Sequence, residues 1–172
     1  MTPMQPGLAR TIVVRVLLRS FARAFDVEAP SVRGLGSNEA LVTYRTFTAA
    51  CMEMALQDAL VHQYLRLRLR EEAMGLGKRV RMLVPSVFAP NLARTLYRAI
   101  GIDLVFEGQG RLRFASCMFA DRYSPKDCWF MSAFDEGFLC GILGIDCGEL
   151  RFSCRLTEGA PCCMAALLQN VD

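Results

Sequence analysis

The distribution of helix breakers constrains this chain more than any other feature. Residues 39–73 hold no glycine and no proline, whereas glycine and proline punctuate the second half at short intervals. A breaker-free stretch rich in Ala, Leu, Met, Glu and Arg predicts one long helix or two in succession. Short segments between turn residues predict strands. The chain therefore reads as α+β, with helices early and a mainly antiparallel sheet late. Its 172 residues are enough for one domain. A helical part over 9–73 would precede an α+β ligand-binding part over 78–168, after a loose lead-in at 1–8.

The segments divide as follows. Residues 9–25 predict an amphipathic helix with Arg15, Arg19 and Arg23 on one face. Its apolar side would pack at a dimer or domain interface, which makes a homodimer the expected assembly. Pro30, Gly34 and Gly36 mark a loop over 26–38, and Ser37 or Asn38 is placed to cap the next helix. Arg66–Glu72 reads as a solvated helix end, with Gly75 and Gly77 stopping the helix. Lys78–Val84 alternates polar and apolar residues as a strand does, and Pro85 closes it. Pro90–Ile100 fits a short helix. Asp103–Phe106 and Arg111–Met118 fit two strands joined by a turn at Glu107–Gly110. Pro125 opens a helix to Leu143, ended by Gly144. Glu149–Leu156 and Cys163–Leu168 fit a last pair of strands about Gly159-Ala160-Pro161.

Composition excludes several classes. Apolar residues make up 53 % and charged residues 22 %, and mean hydropathy is +0.26. Such a chain is not disordered, and its apolar surplus calls for a large core, a ligand cavity or an interface. A net charge of +3 gives no strong nucleic-acid signal. No stretch is long and apolar enough for a transmembrane span. No signal peptide is evident, which predicts a cytoplasmic protein with reduced thiols. Gly34-Leu35-Gly36 and Gly75, Gly77 and Lys78 do not form phosphate-binding loops.

The cysteines carry the chemical signal. Of eight, seven lie from Cys117 onward. Strands on either side of the 159–161 turn would bring Cys154 near Cys162 or Cys163, and a helix on the sheet could present Cys128 to the same point. Thiolates so gathered suit a structural zinc. The opposing reading is that Cys128, Cys140, Cys147 and Cys154 are small buried hydrophobes.

With Cys128-Trp129, Gly137-Phe138, Leu143-Gly144, Cys154, Gly159 and a closing cysteine, roughly the last 50 residues resemble the 4-vinyl reductase domain family of small-molecule-binding modules. The resemblance implies zinc ligands at Cys128, Cys154 and Cys162 or Cys163. The family's fourth ligand is a glutamate, and Arg151 stands there. Asp146, Cys147, Glu149 or the spare member of the Cys162/Cys163 pair would have to replace it. The expected ligand is apolar, aromatic or tetrapyrrole-like, in a pocket between helices and sheet near Trp129, Phe130, Phe134 and Phe138.

The ending Leu156–Cys163 is also similar to the aminothiazoline carboxylate hydrolase family. That similarity implies a hydrolase with a cysteine nucleophile, Cys117 or Cys163, and an acidic partner at Asp135. His62, the lone histidine, reads as a packed or surface residue. Asp135 and Glu136 read, apart from that resemblance, as solvated helix residues. Met52, Met54 and Met131 join the phenylalanines as core or pocket lining.

Overall fold

The computed structural model describes residues 6–145 and 147–169, with the side chains of 6, 8, 147–149 and 169 outside the description. Helices α1 (Pro6–Phe25), α2 (Ser37–Ala55), α3 (Ala59–Arg81) and α4 (Ala89–Ala99) come first. Strands β1 (Ile102–Gly108) and β2 (Arg111–Cys117) follow, then helix α5 (Pro125–Leu143) and strands β3 (Cys147–Cys154) and β4 (Cys163–Gln169). The four strands form one sheet in the order β1-β2-β4-β3, with every neighbouring pair antiparallel. The fold is α+β, as the breaker pattern predicts.

Two hairpins build the sheet. In the first, Gly108, Gln109 and Gly110 all take positive φ, which turns the chain tightly between β1 and β2. In the second, the 3-10 turn Leu156–Glu158 ends on Gly159 at φ 85 and leads into β4. Leu156 therefore belongs to this turn and not to a strand. Pairing of β2 with β4, Phe114 opposite Cys163 and Leu112 opposite Ala165, joins the hairpins. The inward row Leu112, Phe114, Cys163, Ala165 and Leu167 is buried against the helices.

Helix α5 follows its sequence signals closely. The Ser124 hydroxyl accepts from Asp127 N–H at 3.2 Å, and the Asp127 carboxylate accepts from Ser124 N–H at 2.8 Å. Gly144 ends the helix at φ 65. At the start of α2 the cap is Gly36 rather than Ser37 or Asn38. Its N–H donates to the Glu39 carboxylate at 2.8 Å.

The largest departure is α3. Lys78–Arg81 is helix, and Gly75 and Gly77 lie inside it. The two glycines differ in role. At Gly75 an added Cβ would meet only the end of the Arg79 side chain, at 3.6 Å. At Gly77 it would strike the Phe138 carbonyl and lie 2.7 Å from Ile142 N. On α5, Gly137 abuts the Arg70 carbonyl and Gly141 the Met74 carbonyl. These three glycines let two helix backbones approach to contact, so Gly77 serves packing and does not stop the helix. Strand alternation at 78–84 is overridden by that contact.

Arg66–Glu72 is correspondingly not a solvated end. Leu65 and Leu69 are buried, and Arg70 and Arg66 form ion pairs with Glu136 of α5, whose side chain is only 4 % exposed. Residues 39–73 split into two helices at 56–58, where Asp58 accepts from Leu60 N–H at 2.7 Å and Val61 N–H at 3.2 Å.

Helix α1 also differs from expectation. It begins at Pro6, so of the lead-in only 1–5 lies outside the described residues. Its apolar side (Val14, Leu17, Leu18, Phe21 and Phe25) is buried in the chain's own core. Phe21 stacks on Phe134 of α5 at 4.9 Å. Leu60, Tyr64 and Leu67 on α3 are the exposed apolar row instead. Among the described residues, no helix is long and apolar enough to cross a membrane.

Candidate functional site: a partly open apolar cavity

A cavity of about 220 Å³ lies between the helices and one end of the sheet. Every helix contributes: Val13 and Leu17 from α1, Tyr44 from α2, Leu76 from α3, Tyr97 from α4 and Phe134 from α5. The sheet side supplies Ile102, Cys117 and Cys163, and the 3-10 turn adds Leu156 and Thr157. Ile12 and Val16, both exposed on α1, border its open side. This volume exceeds the ~150 Å³ at which an apolar protein cavity already admits benzene.

One acid stands in this lining. Asp135, on α5, is the only Asp or Glu that lines the cavity among the described residues, and no Lys, Arg or His joins it there. Tyr97 O–H donates to Asp135 Oδ1 at 2.8 Å. Burial in apolar surroundings pushes the Asp135 carboxyl up to about 7, with the Tyr97 hydrogen bond working in the opposite direction. The expectation of a solvated Asp135/Glu136 pair is overturned at both residues. Asp135 faces the cavity and Glu136 is buried against Arg66 and Arg70. The sequence held a signal for this. They are the only charged residues between Cys128 and Ile145, in a helix whose remaining surface is largely buried.

Three thiols share the lining: Cys117, Cys128 and Cys163. Burial pushes Cys117 up to about 12 and Cys163 up to about 11, and also raises Cys128. The Asp135 charge adds to the rise of each. At neutral pH all three are neutral thiols. Tyr44 and Tyr97 are pushed far up by burial and likewise stay neutral. The Thr48 hydroxyl donates to the Tyr44 carbonyl at 3.0 Å and lies 2.7 Å from the Tyr123 hydroxyl, which positions that wall.

The expected ligand-binding residues separate into two pairs. Phe134 and Phe138 line the cavity. Phe130 is fully buried elsewhere, with its ring 5.9 Å from Phe25 and 4.9 Å from His62. Trp129 is 43 % exposed, stacked on His62 at 5.4 Å, with the Arg66 guanidinium over its ring. Trp129 lies off the face shared by Phe130, Phe134 and Phe138. Phe130, about one turn nearer the start of α5, packs against Phe25 and His62 instead of the cavity. His62 is thus a packed residue. The residues that sequence reasoning did not assign to the pocket are Tyr44, Tyr97, Phe119 and Tyr123. They come from three separate segments, and no local pattern marks them.

The expected zinc ligands are partly convergent. The charge state of Cys163 is coupled to both Cys128 and Cys154, so these residues share a neighbourhood. Their sulfurs are otherwise engaged. Cys154 S–H donates to the Cys162 carbonyl at 3.4 Å, and Cys163 Sγ accepts from Leu156 N–H at 3.2 Å. Among the described residues, no three Cys, His, Asp or Glu side chains are gathered closely enough to hold a metal. Of the substitute ligands, Asp146 and the side chains of Cys147 and Glu149 lie outside the described residues. Cys51, Cys117, Cys128, Cys154, Cys162 and Cys163 are free thiols. Cys140, buried in α5, is disulfide-bonded, contrary to the expectation of uniformly reduced thiols.

Comparison with known families, curated proteins and solved structures finds no match.

Proposed function

We propose that this protein binds a small aromatic molecule in the cavity between its helices and sheet. The observation that carries the reading is the cavity itself. It is concave, largely apolar, partly open, and carries one carboxyl anchor in Asp135. That is the make-up of a small-molecule site. The volume favours one or two fused rings over a tetrapyrrole. The reading agrees with the resemblance to the 4-vinyl reductase domain family, whose pocket would then be walled by Phe134 and Phe138 but not by Trp129 or Phe130. A homodimer fits the same reading through the exposed α3 row Leu60, Tyr64 and Leu67. A strictly monomeric species in sedimentation at high concentration would remove it.

Titration calorimetry with indole tests the binding. Wild type is expected to bind, and Val13→Phe, which fills the cavity from α1, to lower the affinity at least tenfold with the melting temperature retained. Absence of binding, or binding indifferent to the filled cavity, would overturn the reading.

A hydrolase reading has one specific observation in its favour: Cys117, Asp135 and Cys163 line the same cavity. The weight against it is electrostatic. A cysteine nucleophile works as a thiolate, and burial holds both thiols protonated. Turnover of a thiazoline carboxylate, lost in Cys117→Ser or Cys163→Ser, would favour the hydrolase over the binding module.

A further inference from the structure

The cavity has a sign as well as a shape. Six aromatic rings line it: Tyr44, Tyr97, Phe119, Tyr123, Phe134 and Phe138. Several meet one another at ring-packing distances. Phe119 and Tyr123 stack at 4.9 Å, and Tyr44 meets Phe119 edge-on at 5.7 Å. Tyr97 meets Phe138 edge-on at 6.0 Å. Ring faces present negative charge density to whatever lies between them. The one ionisable carboxyl in the lining is Asp135. Only one of its oxygens has a hydrogen-bond partner among the described residues, the Tyr97 hydroxyl. No cationic side chain of the described residues lines the cavity to neutralise it.

An anionic ligand would meet a carboxylate and ring faces with no countercharge. A neutral aromatic would gain from burial alone and leave Asp135 half-satisfied. A cation would gain from both the carboxylate and the rings, as ammonium groups do in aromatic cages. We infer that the cavity selects aromatic amines of the arylalkylamine kind, with the ammonium on the free Asp135 oxygen and the ring among the aromatic walls. This inference rests on the proposed small-molecule site and deepens it by fixing the charge of the occupant.

The test uses three probes of matched shape: 2-phenylethylamine, 2-phenylethanol and 3-phenylpropionate. Each is titrated calorimetrically into the full chain at pH 8. The amine is expected to bind at least tenfold more tightly than the alcohol, about 1.4 kcal/mol, and the acid most weakly. Asp135→Asn keeps an acceptor for Tyr97 and removes the charge. It is expected to erase the preference for the amine over the alcohol. Equal or tighter binding of the alcohol in wild type, or an undiminished amine preference in Asp135→Asn, would overturn the inference and leave the aromatic site standing. Binding of none of the three would overturn the inference and the proposed site together.

Discussion

Replacing Gly137 by alanine is expected to destabilise the protein even though alanine is the better helix former. A Cβ at this position would collide with the Arg70 carbonyl oxygen and lie 2.9 Å from its carbon and 3.0 Å from Met74 N. Those are backbone atoms of α3, so no side-chain rotation relieves the overlap, and α3 and α5 must part. Overpacking of this kind costs about 1–3 kcal/mol. Parting the helices also loosens the ion pairs of Arg66 and Arg70 with buried Glu136, and full loss of such a pair costs about 3–5 kcal/mol. The alanine returns about 1 kcal/mol in helix propensity. The net expectation is a loss of about 2–4 kcal/mol, or roughly 5–15 °C in melting temperature for a domain of this size. Equilibrium urea unfolding followed by far-ultraviolet circular dichroism measures it. Gly75→Ala is the matched control. There the Cβ meets only the Arg79 guanidinium at 3.6 Å, so the change should be neutral or stabilising by up to about 1 kcal/mol. Gly137→Ala at or above wild-type stability would refute the reading of this crossing as backbone-to-backbone contact.

Two further outcomes follow from the cavity's electrostatics. Because Asp135 is raised to about 7 when folded, from about 4 when unfolded, its contribution to stability is fully present below pH 4. That contribution is lost as the pH climbs through 7. Asp135→Asn should therefore match wild type near pH 4 and exceed it at pH 8, by on the order of a few kcal/mol. Parallel urea midpoints for the two proteins at both pH values would contradict the assignment. Tyr44, Tyr97, Cys117, Cys128 and Cys163 stay neutral throughout this window and do not add to the slope. In the folded protein at pH 8, Cys117, Cys163 and Cys51 should resist iodoacetamide until denaturant is added, since burial raises each of them. Peptide mapping that finds Cys117 or Cys163 alkylated first and fast would shift the weight to the hydrolase reading.

The legible parts of this fold are those fixed by local chemistry. Ser124, Pro125 and Gly144 bracket α5 in the sequence as they do in three dimensions. Gly108 and Gly110 place the first hairpin turn where only positive φ fits. What escaped sequence reasoning is decided by contacts between distant segments. Lys78–Val84 alternates over too few residues to separate a strand from a helix edge, and the close contact with α5 through Gly77 carries the helix on to Arg81. Gly75 and Gly77 look identical as punctuation, yet one faces a side chain and the other a backbone. Arg66–Glu72 reads as solvated because its countercharge, Glu136, lies far along the chain. Phe134 and Phe138 were legible as pocket lining. Tyr44, Tyr97, Phe119 and Tyr123 were not, because a cavity wall built from several elements leaves no periodicity in any of them.

The most direct measurement is a crystal structure of the protein soaked with bromobenzene, read from the anomalous signal of bromine. A neutral probe makes this independent of the cavity's charge. The bromine peak is expected inside the cavity, among Tyr44, Phe134 and Phe138. Bromine found only at the protein surface, with that space closed by collapsed side chains, would contradict it.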